Sequence, residues 1–148
     1  MKTAVFANSK GGVGKSTIAL LTSLSLATKY NRANVELIDL DPQATTSDSL
    51  SRFANYRFKV INNEEFYLGS TTPNNSRIIS HLESSSDNHI SECYSVIDCP
   101  AGNDPVRSTF LLHSDIIFIP TSVSDADVFA TKKYIASLID LFESDVEN

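Results

Sequence analysis

The stretch NSKGGVGKST occupies residues 8–17, and the rest of the chain can be placed relative to it. Thr3 to Ala7 ahead of it is short and mostly apolar, which predicts a strand covered on both faces. Ser16 to Tyr30 behind it carries Ile18, Leu20, Leu21, Leu24, Leu26 and Ala27, apolar nearly all round, which predicts a buried helix with Asn31 as its stop. A glycine loop between strand and helix aims successive backbone N–H groups and a helix N-terminus at one point. That is a phosphate site. Gly11, Gly12, Val13 and Gly14 form the loop, whose glycines let the backbone curl close to an anion. Lys15 supplies a point charge for β/γ-phosphates, Ser16 is placed to ligate Mg²⁺, and Thr17 can donate to an α-phosphate.

The pattern G-x-x-x-x-G-K-[ST] would place a glycine at position 9, where this chain has Ser9. KGG-x-GK-S nevertheless fixes more residues than that pattern, with a chance occurrence on the order of 10⁻⁷ per start position. A dinucleotide fingerprint fails on spacing, because Thr17 stands where its third glycine belongs.

Working outward, Val35–Leu40 reads as a second buried strand and Phe58–Ile61 as a third. Residues 45–53 carry a weak helical pattern, 62–76 read as loop, and a helix is expected from about Ser76 to Glu83. SSSDN at 84–88 is a turn-rich break, followed by a strand over Tyr94–Ile97 and a short helix over Val106–Leu112. Ile116–Ile119 reads as another buried strand, stopped by Pro120. The last helix starts near Asp125 or Asp127, either able to cap it, with Val128, Thr131, Ile135, Leu138 and Phe142 at helical spacing. Strand, loop and helix alternate, so the fold class is α/β: a P-loop NTPase-like, mostly parallel sheet with helices on both faces. Residues 1–148 read as one domain, C-terminally short, either an unusually short protein or a truncated one.

Acids gather where strands end. Asp39 and Asp41 close the second strand in LIDLDPQ, on the same side by alternation, and can serve a Mg²⁺ shell and orient a water. For Asp41, capping the helix expected after it remains an alternative. Asp98 closes VID ahead of Cys99-Pro100-Ala101-Gly102, a hydrophobic strand ending in a carboxylate that can hold a Mg²⁺-bound water. Gly102 would let a backbone N–H approach a γ-phosphate and register its loss. Lys10 could neutralise transferring charge as an arginine finger does, or be a plain surface lysine.

Composition narrows the partners. Formal net charge is −6 and pI near 4.9, so no global field attracts nucleic acid or anionic lipid. The basic groupings Arg52/Arg57/Lys59 and Lys132/Lys133 read as solvated surface. No apolar run reaches the length of a membrane span, and AVFA is too short for a signal peptide. Cys93 and Cys99 are two small buried thiols of a cytoplasmic protein rather than a disulfide framework. His81, His89 and His113 lack ligand spacing and read as surface or satisfied residues.

KGGVGKST, LIDLDPQ and VIDCPAG, in this order, resemble the deviant Walker A, A′ and Walker B/switch II motifs of the ParA/MinD ATPases. SDIIFIPTSVSDADVFA at 114–130 is similar to a further family stretch, matching at Asp115, Pro120, Ser124 and Asp127. DPQ and PAG look more like plasmid and chromosome partition ParA proteins than MinD. The resemblance implies a slow Mg²⁺-dependent ATP hydrolase that dimerises on ATP and partitions DNA with a DNA-bound, ParB-like adaptor; non-specific DNA stays an open partner. It makes Lys10 the signature lysine that reaches the partner's phosphates, Asp41 the residue that positions the attacking water, and Asp39 and Asp98 supports of the metal. Two rival readings are a catalytically weak nucleotide-binding interaction module and a cargo-positioning relative that does not bind DNA. The family's C-terminal adenine-reading strand and basic DNA-binding residues have no counterpart here. MinD's basic amphipathic helix is absent too, which argues against a membrane role.

Overall fold

The computed structural model describes residues 1–30, 33–42, 58–86 and 92–147. The helix expected at 45–53, Arg52, Arg57 and His89 lie outside them. Strands β1 (Lys2–Phe6), β2 (Asn34–Asp39), β3 (Lys59–Ile61), β4 (Cys93–Asp98) and β5 (Ile116–Phe118) form one sheet in the order β3-β2-β4-β1-β5. Every pairing is parallel.

Alternation divides the sheet's side chains between two layers. Phe6, Leu37 and Val96 face helix α1 (Lys15–Lys29), whose Ala19 packs among them. Val5, Ile38 and Ile97 face the opposite way. There they meet Ile78 and Leu82 of α3 (Asn75–Ser86) and Tyr134, Leu138 and Leu141 of α4 (Asp125–Val146). The expected parallel sheet with helices on both faces is therefore present.

Several local expectations need correction. The 62–76 loop contains a one-turn helix, α2 (Glu64–Tyr67), whose Phe66 is drawn into the core. Leu68 and Gly69 follow it at positive φ, a sharp stop that composition alone reads as loop. Helix α3 continues to Ser86, through the first residues of the break expected at 84–88, and the rest of that stretch lies outside the described residues. In place of the helix over 106–112 stand two 3₁₀ turns, Pro105–Arg107 and Thr109–His113.

Three burial expectations change as well. Helix α1 is buried on one face only, through Lys15, Ala19, Ser23 and Ala27, while Leu21 is 58% exposed. Among the described residues β5 pairs with β1 alone, at the edge of the sheet, so Ile116 and Phe118 are exposed rather than buried. Cys99 is buried, but Cys93 only half-buried. His81 is satisfied by Glu36, with Nε2 3.0 Å from Oε1, and His113 lies exposed.

Topology locates a crevice. From β1 the chain crosses over β4 to reach β2; from β4 it crosses over β1 to reach β5. The connections leave β1 and β4 in opposite directions, so the carboxyl ends of these two neighbours frame a switch point.

Candidate phosphate-binding site

The loop after β1 and the loop after β4 both open at that crevice. Gly12 and Gly14 have φ of 69° and 90°, values that a side chain would strain. Gly11 needs its bareness for another reason: a Cβ there would stand 3.3 Å from the Ala101 Cβ. Gly14 is the N-cap of α1, and no side chain caps that terminus. The first N–H groups of the helix are thus left facing the loop, as an anion site requires.

Lys15 is 6% exposed and folds back across its own loop, Nζ donating to the Lys10 carbonyl at 2.5 Å. Burial pushes its pKa below the ordinary lysine value, while Asp98, Cys99 and Asp41 act in the opposite sense. Burial likewise pushes the Cys99 thiol pKa up, so it remains a neutral thiol in the floor of the site.

Asp39 and Asp98 are partners in the β2–β4 register, both fully buried and both on the α1 side of the sheet. Asp39 Oδ1 accepts the Asp41 N–H at 3.0 Å, which turns the chain after β2. Asp41 itself is half-buried and lines a cavity of about 510 Å³ with Tyr67, Pro100, Gly102, Asn103 and Asp104. Tyr67 donates its hydroxyl to the Leu40 carbonyl at 2.8 Å, its pKa pushed up to about 12 by burial first and by Asp41 second. Gly102, at φ 78°, donates its N–H to the Ser9 carbonyl at 2.8 Å. The two loops are therefore joined directly.

Ser16 and Thr17 lie in the first turn of α1. Together with Asp39 and Asp98, the Ser16 hydroxyl makes a set of hard oxygen donors that fits Mg²⁺, a cation that keeps several waters rather than taking an all-protein cage. The contacts join Lys15 to Lys10, Asp39 to Asp41 and, by register, to Asp98, and the loop after β1 to the loop after β4 through Gly102 and Ser9.

Sequence reasoning missed what lies behind the loops. Lys10 is in an ion pair with Asp127 of α4, 3.3 Å apart. Asp127 also accepts from Ser122, and its pKa is held below the usual carboxylate value by hydrogen bonds from Ser122 and Ser124 first and by Lys10 after them. The cap of α4 is Ser124, whose hydroxyl accepts the Asp127 N–H at 3.2 Å, rather than Asp125 or Asp127. Asn8 and Asn103, both buried, bond to Thr131 and Tyr134 of the same helix. Their only sequence signal was polarity beside a motif.

A glycine loop entering an uncapped helix, set beside carboxylates at adjoining parallel strand ends, defines a P-loop nucleotide-binding fold. A family model described as "AAA domain" matches residues 1–93, and the chain belongs to that family. It is 31% identical over 137 residues to the Maintenance of carboxysome distribution protein A of Halothiobacillus neapolitanus, covering 90% of this chain and 56% of that protein. A 50-residue stretch is 46% identical to the Virulence plasmid ParA family protein pGP5-D of Chlamydia psittaci, covering 34% of this chain and 19% of that one. Among solved structures, apo McdA from Cyanothece superposes with a TM-score of 0.72 at 21% identity, covering 97% of this chain and 67% of that one. The chain spans a little over half the length of the first of these relatives. No described helix is long and apolar enough to cross a membrane.

Proposed function

We propose that this chain binds ATP with Mg²⁺ in the β1/β4 crevice, hydrolyses it slowly, and uses the cycle to switch between monomer and homodimer. The observation that carries the reading is the uncapped N-terminus of α1 at Gly14, with the buried Lys15 ammonium folded into the same loop. A buried cation beside a helix N-terminus that no side chain caps is an arrangement that a polyphosphate stabilises. Membership of the AAA-domain family supports it, as does the resemblance of the three motifs to those of the ParA/MinD ATPases. So does a plasmid partition protein of Borrelia burgdorferi solved with AMPPNP, which shares this fold at a TM-score of 0.67 and 21% identity.

The position of the loops and strand ends supports the following roles. Residues 11–17 wrap the phosphates, with Lys15 between the β- and γ-groups. Ser16, Asp39 and Asp98 hold the metal, whose contribution when bound is to neutralise charge on the phosphate oxygens. Asp41, on the chain turn fixed by Asp39, orients the attacking water. Gly102 trades its bond to the Ser9 carbonyl for one to the γ-phosphate, and Lys10 reaches the phosphates of a second copy. The whole stretch 1–148 works as one domain. The output is the positioning of cargo, DNA in the partition reading, through a DNA-bound ParB-like adaptor.

Calorimetry with ATP and Mg²⁺ tests the site. Lys15→Ala should weaken binding by on the order of 100-fold or more, since it removes a charge-assisted contact from a desolvated site. Lys10→Ala should leave ADP binding intact and abolish ATP-dependent dimerisation, read by size-exclusion chromatography with light scattering. A nucleotide-indifferent monomer would reduce the protein to a binding module.

A further inference from the structure

Helix α4 presents three polar side chains toward the crevice at one-turn spacing: Asp127, Thr131 and Tyr134. Each ends on a different part of the two loops. Asp127 pairs with Lys10. Thr131 Oγ1 accepts from Asn8 Nδ2 at 2.9 Å, and Tyr134 donates its hydroxyl to Asn103 Oδ1 at 2.6 Å.

The two asparagines are well placed to transmit these contacts. Asn8 is fully buried at the exit of β1. Its second amide hydrogen goes to the Pro120 carbonyl at 2.9 Å, while its Oδ1 accepts the Lys10 N–H at 3.3 Å. The start of the phosphate loop is thereby referenced to the helix and to the end of β5. Asn103 follows Gly102 directly, is 7% exposed, and donates Nδ2 to Ser108 Oγ at 2.9 Å. With Asn103 Nδ2 committed to Ser108, its Oδ1 is the acceptor and the Tyr134 hydroxyl, whose pKa burial pushes up, is the donor in this pair. Both loops are thus anchored from behind on one helix, and they meet in front through the Gly102–Ser9 bond.

A merely space-filling role would be served as well by Val at 131 and Phe at 134. The hydroxyls bury polar atoms, which costs free energy unless they are bonded; Thr131 donates to Thr121 Oγ1 at 2.8 Å, and its other bond and that of Tyr134 go to the loops of the site. We propose that Thr131 and Tyr134 are positioning residues of the nucleotide site, Thr131 setting the phosphate loop through Asn8 and Tyr134 setting the Gly102 segment through Asn103. The inference rests on the nucleotide reading for its functional consequence, but its structural part is independent of it.

The test uses Thr131→Val and Tyr134→Phe, which delete only the bonds, with Thr131→Ser as the conservative control. In nucleotide-free protein, hydrogen exchange followed by mass spectrometry should speed up in residues 9–14 for Thr131→Val and in residues 100–104 for Tyr134→Phe, by about tenfold, the loss of one buried bond. With Mg²⁺ present, Thr131→Val should weaken ADP and AMPPNP alike by about tenfold, and Thr131→Ser should restore both. Tyr134→Phe should leave ADP affinity unchanged and reduce the preference for AMPPNP over ADP. Exchange that rises evenly across the molecule, or stays unchanged, overturns the proposal, as does failure of Thr131→Ser to restore binding. If the wild-type chain binds neither nucleotide, the function above fails while the exchange pattern still decides the positioning roles.

Discussion

Lys10 shows how much one side chain can depend on distant partners. Its ammonium is held by Asp127 of the same chain, so reaching phosphates of a second copy requires that pair to open. Asp127→Asn should therefore strengthen ATP-dependent dimerisation, seen as a lower protein concentration at the dimer midpoint in light scattering. The same variant should be less heat-stable than wild type at neutral pH. Because the folded pKa of Asp127 lies below its unfolded value, its contribution is fully present above about pH 4 and disappears as pH falls through the lower folded value. Thermal melts of the two proteins should thus converge in strong acid; a gap that persists there would show that the carboxylate charge is not what stabilises. The residues Lys15, Asp39 and Asp98 were legible in the sequence because each sits at the end of a strand or the start of a helix, where chain direction alone fixes the neighbourhood. The partner of Lys10 was not, since a pair so far apart along the chain exists only once α4 has docked.

At the level of elements, α4 illustrates why periodicity can find a helix yet misplace its face. Val128, Thr131, Ile135, Leu138 and Phe142 form one apolar stripe in the sequence, but the buried face is Thr131, Tyr134, Leu138 and Leu141. The helix is apolar on two sides, and side-chain spacing cannot choose between them. The choice is made by specific contacts, among them the Tyr134 bond to Asn103. Adjacent residues therefore predict opposite outcomes. Leu138, 9% exposed, should cost about 2–4 kcal/mol on Leu138→Ala in urea unfolding. Ile139, 51% exposed, should change stability by no more than about 0.5 kcal/mol on Ile139→Ala. Equal losses at both positions would mean that Ile139 is covered in solution. Helix α2 was hidden for a different reason, as one turn is too short for any period to register.

Across the whole molecule, the parallel class was readable from the alternation of strands and helices, whereas the order β3-β2-β4-β1-β5 was not. The central strands are similarly apolar, and only the crossing of connections over one another separates β4 from β2 as a neighbour of β1. Charge, by contrast, is a whole-molecule property that needs no fold. The net charge is −6. The exposed Lys132 and Lys133 share their helix with Asp125, Asp127, Asp140, Glu143 and Asp145, so the local field they create is opposed along its length. Sequence-independent DNA binding depends on releasing several counterions from phosphates, with affinity falling steeply as salt rises. This chain should accordingly show no retention on duplex DNA at about 150 mM salt, with or without ATP and Mg²⁺, and at most weak retention near 50 mM. Filter binding across a salt series reads this directly. Retention that survives physiological salt would place a DNA-binding surface on these 148 residues and overturn the charge argument.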